Sequence, residues 1–231
     1  MEKNQYKLCL EVLRRFNKVG ILDGLILIGS WCLYFYKGYF ENISYIDIAT
    51  IKTRDIDFLV PIPARIKKEV DIPKLLKDLG FVIEFKGSKG YIKLDHPDLI
   101  VEFLVPEKGR GSGKPYKLPQ LGMNATPLRF LSFLTDNVIR VKVEDFYINV
   151  PHPANFALHK LIIFSRRSKE DKALKDKNTA IEILKALFNK GEVRIVKSIF
   201  NSMPQKWQKK IMDNLDSTGE QEISKILTEG I

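Results

Sequence analysis

Gly24-Leu-Ile-Leu-Ile-Gly29-Ser30 and Thr53-Arg-Asp-Ile-Asp-Phe-Leu-Val60 are two strand signals of different kinds, separated by an irregular stretch. The first is a short, unbroken apolar run that stops at a Gly-Ser turn, and the helix-compatible segment Trp31 to Lys37 follows at once. A buried strand, a tight turn and a helix are the expected order. The second alternates polar and apolar residues and turns wholly apolar ahead of Pro61. On a strand, residues two apart share a face, so Asp55 and Asp57 point the same way, a few Å apart. Two carboxylates so placed repel each other unless a cation lies between them. An isolated Asp-x-Asp also suits two solvent-facing strand positions.

Working outward, residues 5–18 place Leu8, Leu10, Val12, Leu13 and Phe16 among Lys and Arg with a helical period that ends before Gly20. The stretch from Gly38 to Thr53 shows no period. Residues 73–79 suit a short helix closed by Gly80. Strands are expected at 81–85, 91–94 and 99–105, an antiparallel run joined by turns at Gly87-Ser-Lys-Gly90 and His96-Pro97. Residues 106–119 are basic and rich in Gly and Pro, a loop long enough to be functional or disordered. A hairpin over 138–143 and 146–150 precedes Pro151-His-Pro153, which introduces helices at 154–164 and 173–188 and further helical periodicity to the end. The fold class expected is α+β: a mixed, partly antiparallel β-sheet with flanking helices over 1–150, then a C-terminal helical domain over 151–231.

A chain of 231 residues can bury one good core and a second small one. Hydrophobic residues at 45% and charged residues at 29% are ordinary globular values, which argues against extensive disorder. The formal net charge of +10 and a pI near 9.4 favour a polyanionic partner such as nucleic acid, nucleotide or an anionic membrane surface. Cys9 and Cys32 stand in apolar settings without Cys-x-x-Cys spacing, so core packing is expected of them rather than zinc or a disulfide. Met1 to Tyr6 carry no apolar signal region, and no apolar run approaches the roughly 20 residues that span a bilayer. A cytoplasmic protein with no membrane association is the expectation.

Glu102 strengthens the acidic pair, because it stands in Ile100-Val-Glu-Phe-Leu-Val105, where a single acid is costly unless it is exposed, paired or bound to metal. Magnesium or manganese is held by a few carboxylates together with water and substrate phosphates, and Asp55, Asp57 and Glu102 fit that donor set. Gly29 and Ser30 offer a phosphate close backbone approach and a hydroxyl, although the pair equally suits a helix cap. His152 and His159 lack a partner at ligand spacing and are expected to be structural. Trp31 and Tyr34 could stack a base, with sheet packing the expected use of Trp31. Lys108, Arg110, Lys114 and Lys117 around Tyr116 suit a nucleic-acid backbone or a plain surface loop.

Leu27-Ile-Gly-Ser-Trp-Cys-Leu-Tyr34 followed by Thr53 to Val60 resembles the hG[GS] and Dh[DE]h signature of the polymerase-beta nucleotidyltransferase superfamily, with Glu102 matching its third carboxylate. Pro153-Ala-Asn-Phe-Ala-Leu-His-Lys160, Arg166-Arg167 and Lys172-Ala-Leu-Lys-Asp176 resemble the helical motifs of its bacterial branch related to the nucleotidyltransferase (AbiEii-type) toxins of abortive-infection systems. The gap between Ser30 and Asp55 is longer than the minimal pattern. The resemblance implies Asp55, Asp57 and Glu102 as catalytic metal ligands and Gly29 and Ser30 as holders of the terminal phosphates. It also implies Lys160, Arg167 and Asp176 as nucleotide-facing residues, with the helical domain closing the nucleotide cleft. Asp176 could equally pair with Lys172, four residues before it on one helix.

The activity so implied is metal-dependent transfer of a nucleoside monophosphate from a nucleoside triphosphate to a hydroxyl acceptor. The basic charge makes RNA, tRNA in particular, a reasonable acceptor, with a protein hydroxyl and a small molecule such as an aminoglycoside equally open, and an antitoxin protein is a further partner implied by the branch. The alternative is a retired nucleotidyltransferase fold that binds nucleic acid or protein.

Overall fold

The computed structural model describes residues 3–41, 43–44, 53–107, 109–111 and 113–228. Most of the stretch expected to be irregular before Thr53, together with Lys108 and Ser112 of the basic loop, lies outside the described residues. The chain is α+β, and it divides into two units. One holds the described residues up to Tyr36 and from Thr53 to Pro151; the other holds those from Lys37 to Ser44 and from His152 onward.

The first unit is built on a seven-stranded mixed sheet. Its strands are β1 (Ile26–Ile28), β2 (Asp55–Leu59), β3 (Val82–Lys86), β4 (Tyr91–Asp95), β5 (Ile100–Pro106), β6 (Tyr116–Leu118) and β7 (Met123–Leu128). The order β1-β2-β5-β4-β3 makes β2 and β5 central; they run parallel, while β1 pairs antiparallel with β2, β4 with β5, and β3 with β4. The expected antiparallel run over β3, β4 and β5 is present. β7 joins β5 in parallel through Leu104 to Pro106, and β6 pairs antiparallel with β7. The loop expected over 106–119 is therefore shorter: Pro106 ends β5, and Tyr116–Leu118 is a strand.

Where β4 parts from β5, one side chain takes the place of a strand. Ile92 N donates to Asn124 Oδ1 at 2.9 Å, and Asn124 Nδ2 donates to the Gly90 carbonyl at 2.9 Å. The Asn124 amide of β7 thus satisfies the N–H of Ile92 in β4 and the carbonyl of Gly90 just before it.

One face of the central strands is covered by α1 (Lys3–Lys18), whose Phe16 ring lies 5.2 Å from that of Phe58 and 6.3 Å from that of Phe103. These three side chains are almost fully buried, each stabilising the packed face by about 1.5–3 kcal/mol. On the opposite face Ile26, Ile28, Leu59 and Leu104 form a cluster with Leu131 and Leu134, and Val138 packs against it. A hairpin of β8 (Val138–Val143) and β9 (Phe146–Pro151) completes the unit. Asn149 Nδ2 ties β9 to the chain entering β1 by donating to the carbonyls of Asp23 at 3.0 Å and Leu25 at 3.2 Å.

The second unit holds α3 (Lys37–Phe40), α5 (Pro153–Ile163), α6 (Glu170–Asn189), α7 (Val193–Asn201), α8 (Gln205–Asp216) and α9 (Gln221–Thr228), with α2 (Cys32–Phe35) and α4 (Ile72–Leu76) belonging to the first unit. Asp71 caps α4 by accepting from Lys74 N at 3.0 Å, and Gly80, at φ 89°, ends the turn that follows it. Every residue of α5 from Pro153 to Ile162 is buried, the polar Asn155, His159 and Lys160 included, which makes it the central helix of its unit. No helix among the described residues is long and apolar enough to cross a membrane.

Candidate active site

The parallel pairing of β2 with β5 sets the acids. Asp57 is the register partner of Glu102, and Asp55 of Ile100. Partners on neighbouring strands share a face, so Asp55, Asp57 and Glu102 lie together on the face away from the Phe16 cluster. Their alternates Ile56 and Phe58 are fully buried on the other face. The Asp-x-Asp is therefore not a pair of free surface positions: both residues are half-buried, and the Glu102 side chain is 16% exposed. Gln5 of α1 fixes the start of both strands, its amide donating to the Thr53 carbonyl at 2.6 Å and the Asp98 carbonyl at 2.9 Å.

Gly29 follows β1 at φ 76°, in the left-handed region that glycine adopts without strain. A Cβ built there would lie 2.6 Å from Asp57 Oδ2, inside contact distance. Only glycine lets this backbone approach the carboxylate so closely. Ser30 is half-buried in the tight turn Gly29–Trp31 that leads into α2. The turn brings the Gly29 backbone against Asp57, with Ser30 next in the chain.

Among the described residues no three His, Cys, Asp or Glu side chains are gathered closely enough to hold a metal ion as they stand. The three acids fit a hard divalent cation by shared face, by register and by their oxygen-only donors, rather than as a closed set of ligands. Ile28, opposite Asp57 in register, and the buried Leu59 and Leu104 give the site an apolar border that strengthens charge interactions there.

Two lysines near Glu102 complete the charge pattern of this face. Lys86 Nζ lies 3.3 Å from Glu102 Oε1. Lys93 of β4, also 16% exposed, lies 3.0 Å from Glu84 and 3.8 Å from Asp95. Alternating charge along Glu84-Phe-Lys86 and Lys93-Leu-Asp95 was the available clue to them in the sequence.

In the helical unit the structure brings together the other three expected residues. Lys160 Nζ of α5 donates to Asp176 Oδ1 of α6, and Arg167 Nε donates to Asp176 Oδ2 at 2.7 Å. Asp176 is buried and paired with these two, not with Lys172. Burial opposes its ionisation, but the neighbouring Lys160 and Arg167 outweigh that and hold the carboxyl below its ordinary range. Lys160 is itself buried, whereas the Arg167 side chain is 41% exposed. His159 is buried beside them with no hydrogen-bond partner for its Nε2 among the described residues, and burial, reinforced by Lys160, pushes its pKa down to about 3. His152 caps α5, its Nδ1 accepting from Ala154 N at 3.2 Å. Both histidines are buried in the helical unit.

Trp31 is fully buried 5.4 Å from the Tyr34 ring, so it packs in the core and leaves Tyr34, half-buried, as the aromatic at the surface. A cavity of about 630 Å³ in the first unit is lined by Asp23, Ile26, Pro61, Pro106, Asp136 and Arg140 among others. It opens at the other end of β1 and β2 from Gly29 and Asp57, and none of the candidate residues lines it.

Comparison with solved structures finds similarity to the solution structure of the antibiotic-resistance factor ANT(2'')-Ia, at 13% identity over 87% of this chain and 94% of that one, with a TM-score of 0.49. The crystal structure of ANT(2'')-Ia in complex with adenylyl-2''-tobramycin is similar at 11% identity over 85% and 98%, with a TM-score of 0.47. An apo tRNA-processing enzyme is similar at 15% identity over 100% of this chain and 60% of that one, with a TM-score of 0.27. No curated protein matches the sequence. A family model described as Nucleotidyltransferase matches residues 7–199, a span that takes in Gly29, the three acids and the Lys160, Arg167 and Asp176 cluster, and the chain belongs to that family.

Proposed function

We propose that the chain transfers a nucleoside monophosphate from a nucleoside triphosphate to an acceptor hydroxyl, with Asp55, Asp57 and Glu102 as the metal-holding acids. The observation that carries this is the approach of Gly29 to Asp57, where a Cβ would stand 2.6 Å from Oδ2. Neither a structural strand nor a plain helix cap requires a glycine backbone pressed against a carboxylate that shares a face with two more acids.

Magnesium or manganese on these acids would supply charge neutralisation at the phosphates. Gly29 and Ser30 position the triphosphate against Asp57, and Glu102 accepts the acceptor's hydroxyl proton. The acceptor oxygen bonds to the α-phosphorus as the bond to the bridging oxygen breaks, and pyrophosphate leaves. Lys160 and Arg167 serve as phosphate-directed cations of the helical unit, held in place by Asp176. The net charge of +10 supports an RNA acceptor, tRNA in particular, for an enzyme working in the cytoplasm. The AbiEii-type resemblance adds an antitoxin protein as partner.

Transfer of label from each α-labelled nucleoside triphosphate to RNA and to protein, with magnesium or manganese, tests this. Label is expected with the native chain and metal, and none with Asp55→Ala/Asp57→Ala. An absence of label from every nucleotide, joined by an absence of metal-dependent nucleotide binding, would establish the retired-fold binding module instead.

A further inference from the structure

Glu102 carries a cation supplied by the protein. Lys86 Nζ stands 3.3 Å from its Oε1, and the two side chains differ sharply in exposure, 65% for Lys86 against 16% for Glu102. An exposed ammonium thus sits on a sheltered carboxylate. Lys93, the other lysine on this part of the sheet, is committed elsewhere: Glu84 holds it at 3.0 Å, Asp95 lies at 3.8 Å, and it is as sheltered as Glu102. Hydrogen bonding to Glu84 chiefly raises the Lys93 pKa, and the charge of Glu102 adds to the effect. Among the described residues Lys86 has no second acidic partner.

We infer that Lys86 is a displaceable counter-ion of Glu102, occupying the third carboxylate until a divalent cation takes its place. The inference rests on the active-site reading above. Three acids on one face repel, and a lysine on Glu102 lowers that repulsion in the metal-free chain. An exposed lysine pair is weak, because ordering a long side chain offsets most of its attraction. A divalent ion that also binds Asp57 and phosphate oxygens displaces it readily. Lys86 therefore raises the metal concentration needed to load the site and lets the acids stay together when it is empty. Lys93, pinned by Glu84, is a positioning residue that remains in place.

The test is Mn²⁺ binding without nucleotide, followed by the loss of the free-ion EPR signal, for the native chain, Lys86→Ala, Lys86→Gln, Glu102→Gln, the double variant Lys86→Ala/Glu102→Gln, and Asp55→Ala/Asp57→Ala. Lys86→Ala is expected to bind Mn²⁺ roughly two- to five-fold more tightly than the native chain, the range of an exposed ion pair. Lys86→Gln, which keeps the side-chain stem, is expected to do the same. With Glu102→Gln already present, Lys86→Ala should change nothing. Unchanged or weaker binding in both Lys86 variants, or equal tightening with and without Glu102, overturns the inference while leaving the metal site intact. Equal Mn²⁺ binding by the native chain and Asp55→Ala/Asp57→Ala, or none by either, overturns both the inference and the site on which it rests.

Discussion

Gly29 carries more of the site than its size suggests. Its φ of 76° is one that a side chain makes strained, and the space a Cβ needs is taken by Asp57 Oδ2 at 2.6 Å. Gly29→Ala is therefore expected to cost about 1–3 kcal/mol in folding stability and to push the Asp57 carboxylate from its place. Gly80→Ala is the control, since Gly80 has φ 89° but a Cβ there meets the His96 ring, with Cδ2 at 3.3 Å and Nε2 at 3.6 Å, and no carboxylate. Urea unfolding should show a loss for both variants, and Mn²⁺ binding should weaken in Gly29→Ala alone. Intact Mn²⁺ binding in Gly29→Ala would remove the link between the turn and the acids. The sequence marked Gly29 through the apolar run before it and Ser30 after it, but the reason for glycine was not legible there. It lies in a contact with Asp57, and the spacing along the chain says nothing of which carboxylate oxygen the turn meets.

At the scale of elements, the strands with a clean pattern could be read in advance and the others could not. β2 and β5 announce themselves by alternation and by apolar runs, whereas β7 contains Asn124 and Pro127 and owes its place to pairing with β5 through Thr126 to Leu128. Such pairing is a property of the partner strand, which local periodicity does not record. α5 was legible from its apolar residues, but its burial on every side was not, and that burial has a consequence for pH. His159 has an ordinary pKa of 6.5, depressed to about 3 in the folded chain by burial and then by Lys160. Between those values the unfolded chain takes up a proton that the folded chain refuses, so stability is fully present above about pH 6.5 and is lost as pH falls toward 3. One such group lowers stability by about 2 kcal/mol between pH 7 and pH 5. His152, also depressed by burial, acts in the same direction, while Asp176 contributes only below the ordinary carboxylate range. Urea midpoints across pH 7 to 5 should therefore fall in the native chain and fall much less in His159→Leu. An equal decline in both would place the titration elsewhere.

For the whole molecule, the chain leaves the sheet unit at Lys37 and rejoins it by Thr53, and the described residues Lys37 to Ser44 group with the helices. No sequence pattern near Tyr39 signals this, because its partners lie 113 and 153 residues away. The His152 ring accepts from Ala154 N through Nδ1, so its Nε2 carries the proton and donates to Tyr39 Oη at 2.9 Å. Tyr39 O–H in turn donates to Glu192 Oε2 at 2.5 Å, and Lys190 Nζ lies 4.3 Å from the Tyr39 ring centre. Tyr39→Phe removes the oxygen at the centre of this chain and leaves a buried imidazole N–H and a carboxylate each short of a partner. The expected loss is about 1–3 kcal/mol. If Tyr39 belongs energetically to the helices, hydrogen exchange in the variant should quicken at the first turn of α5 and around Lys190 to Val193, while β2 and β5 exchange as in the native chain. Equal quickening in β2 and β5 would instead show that the segment is part of the sheet unit's own folding, and that the two units open as one.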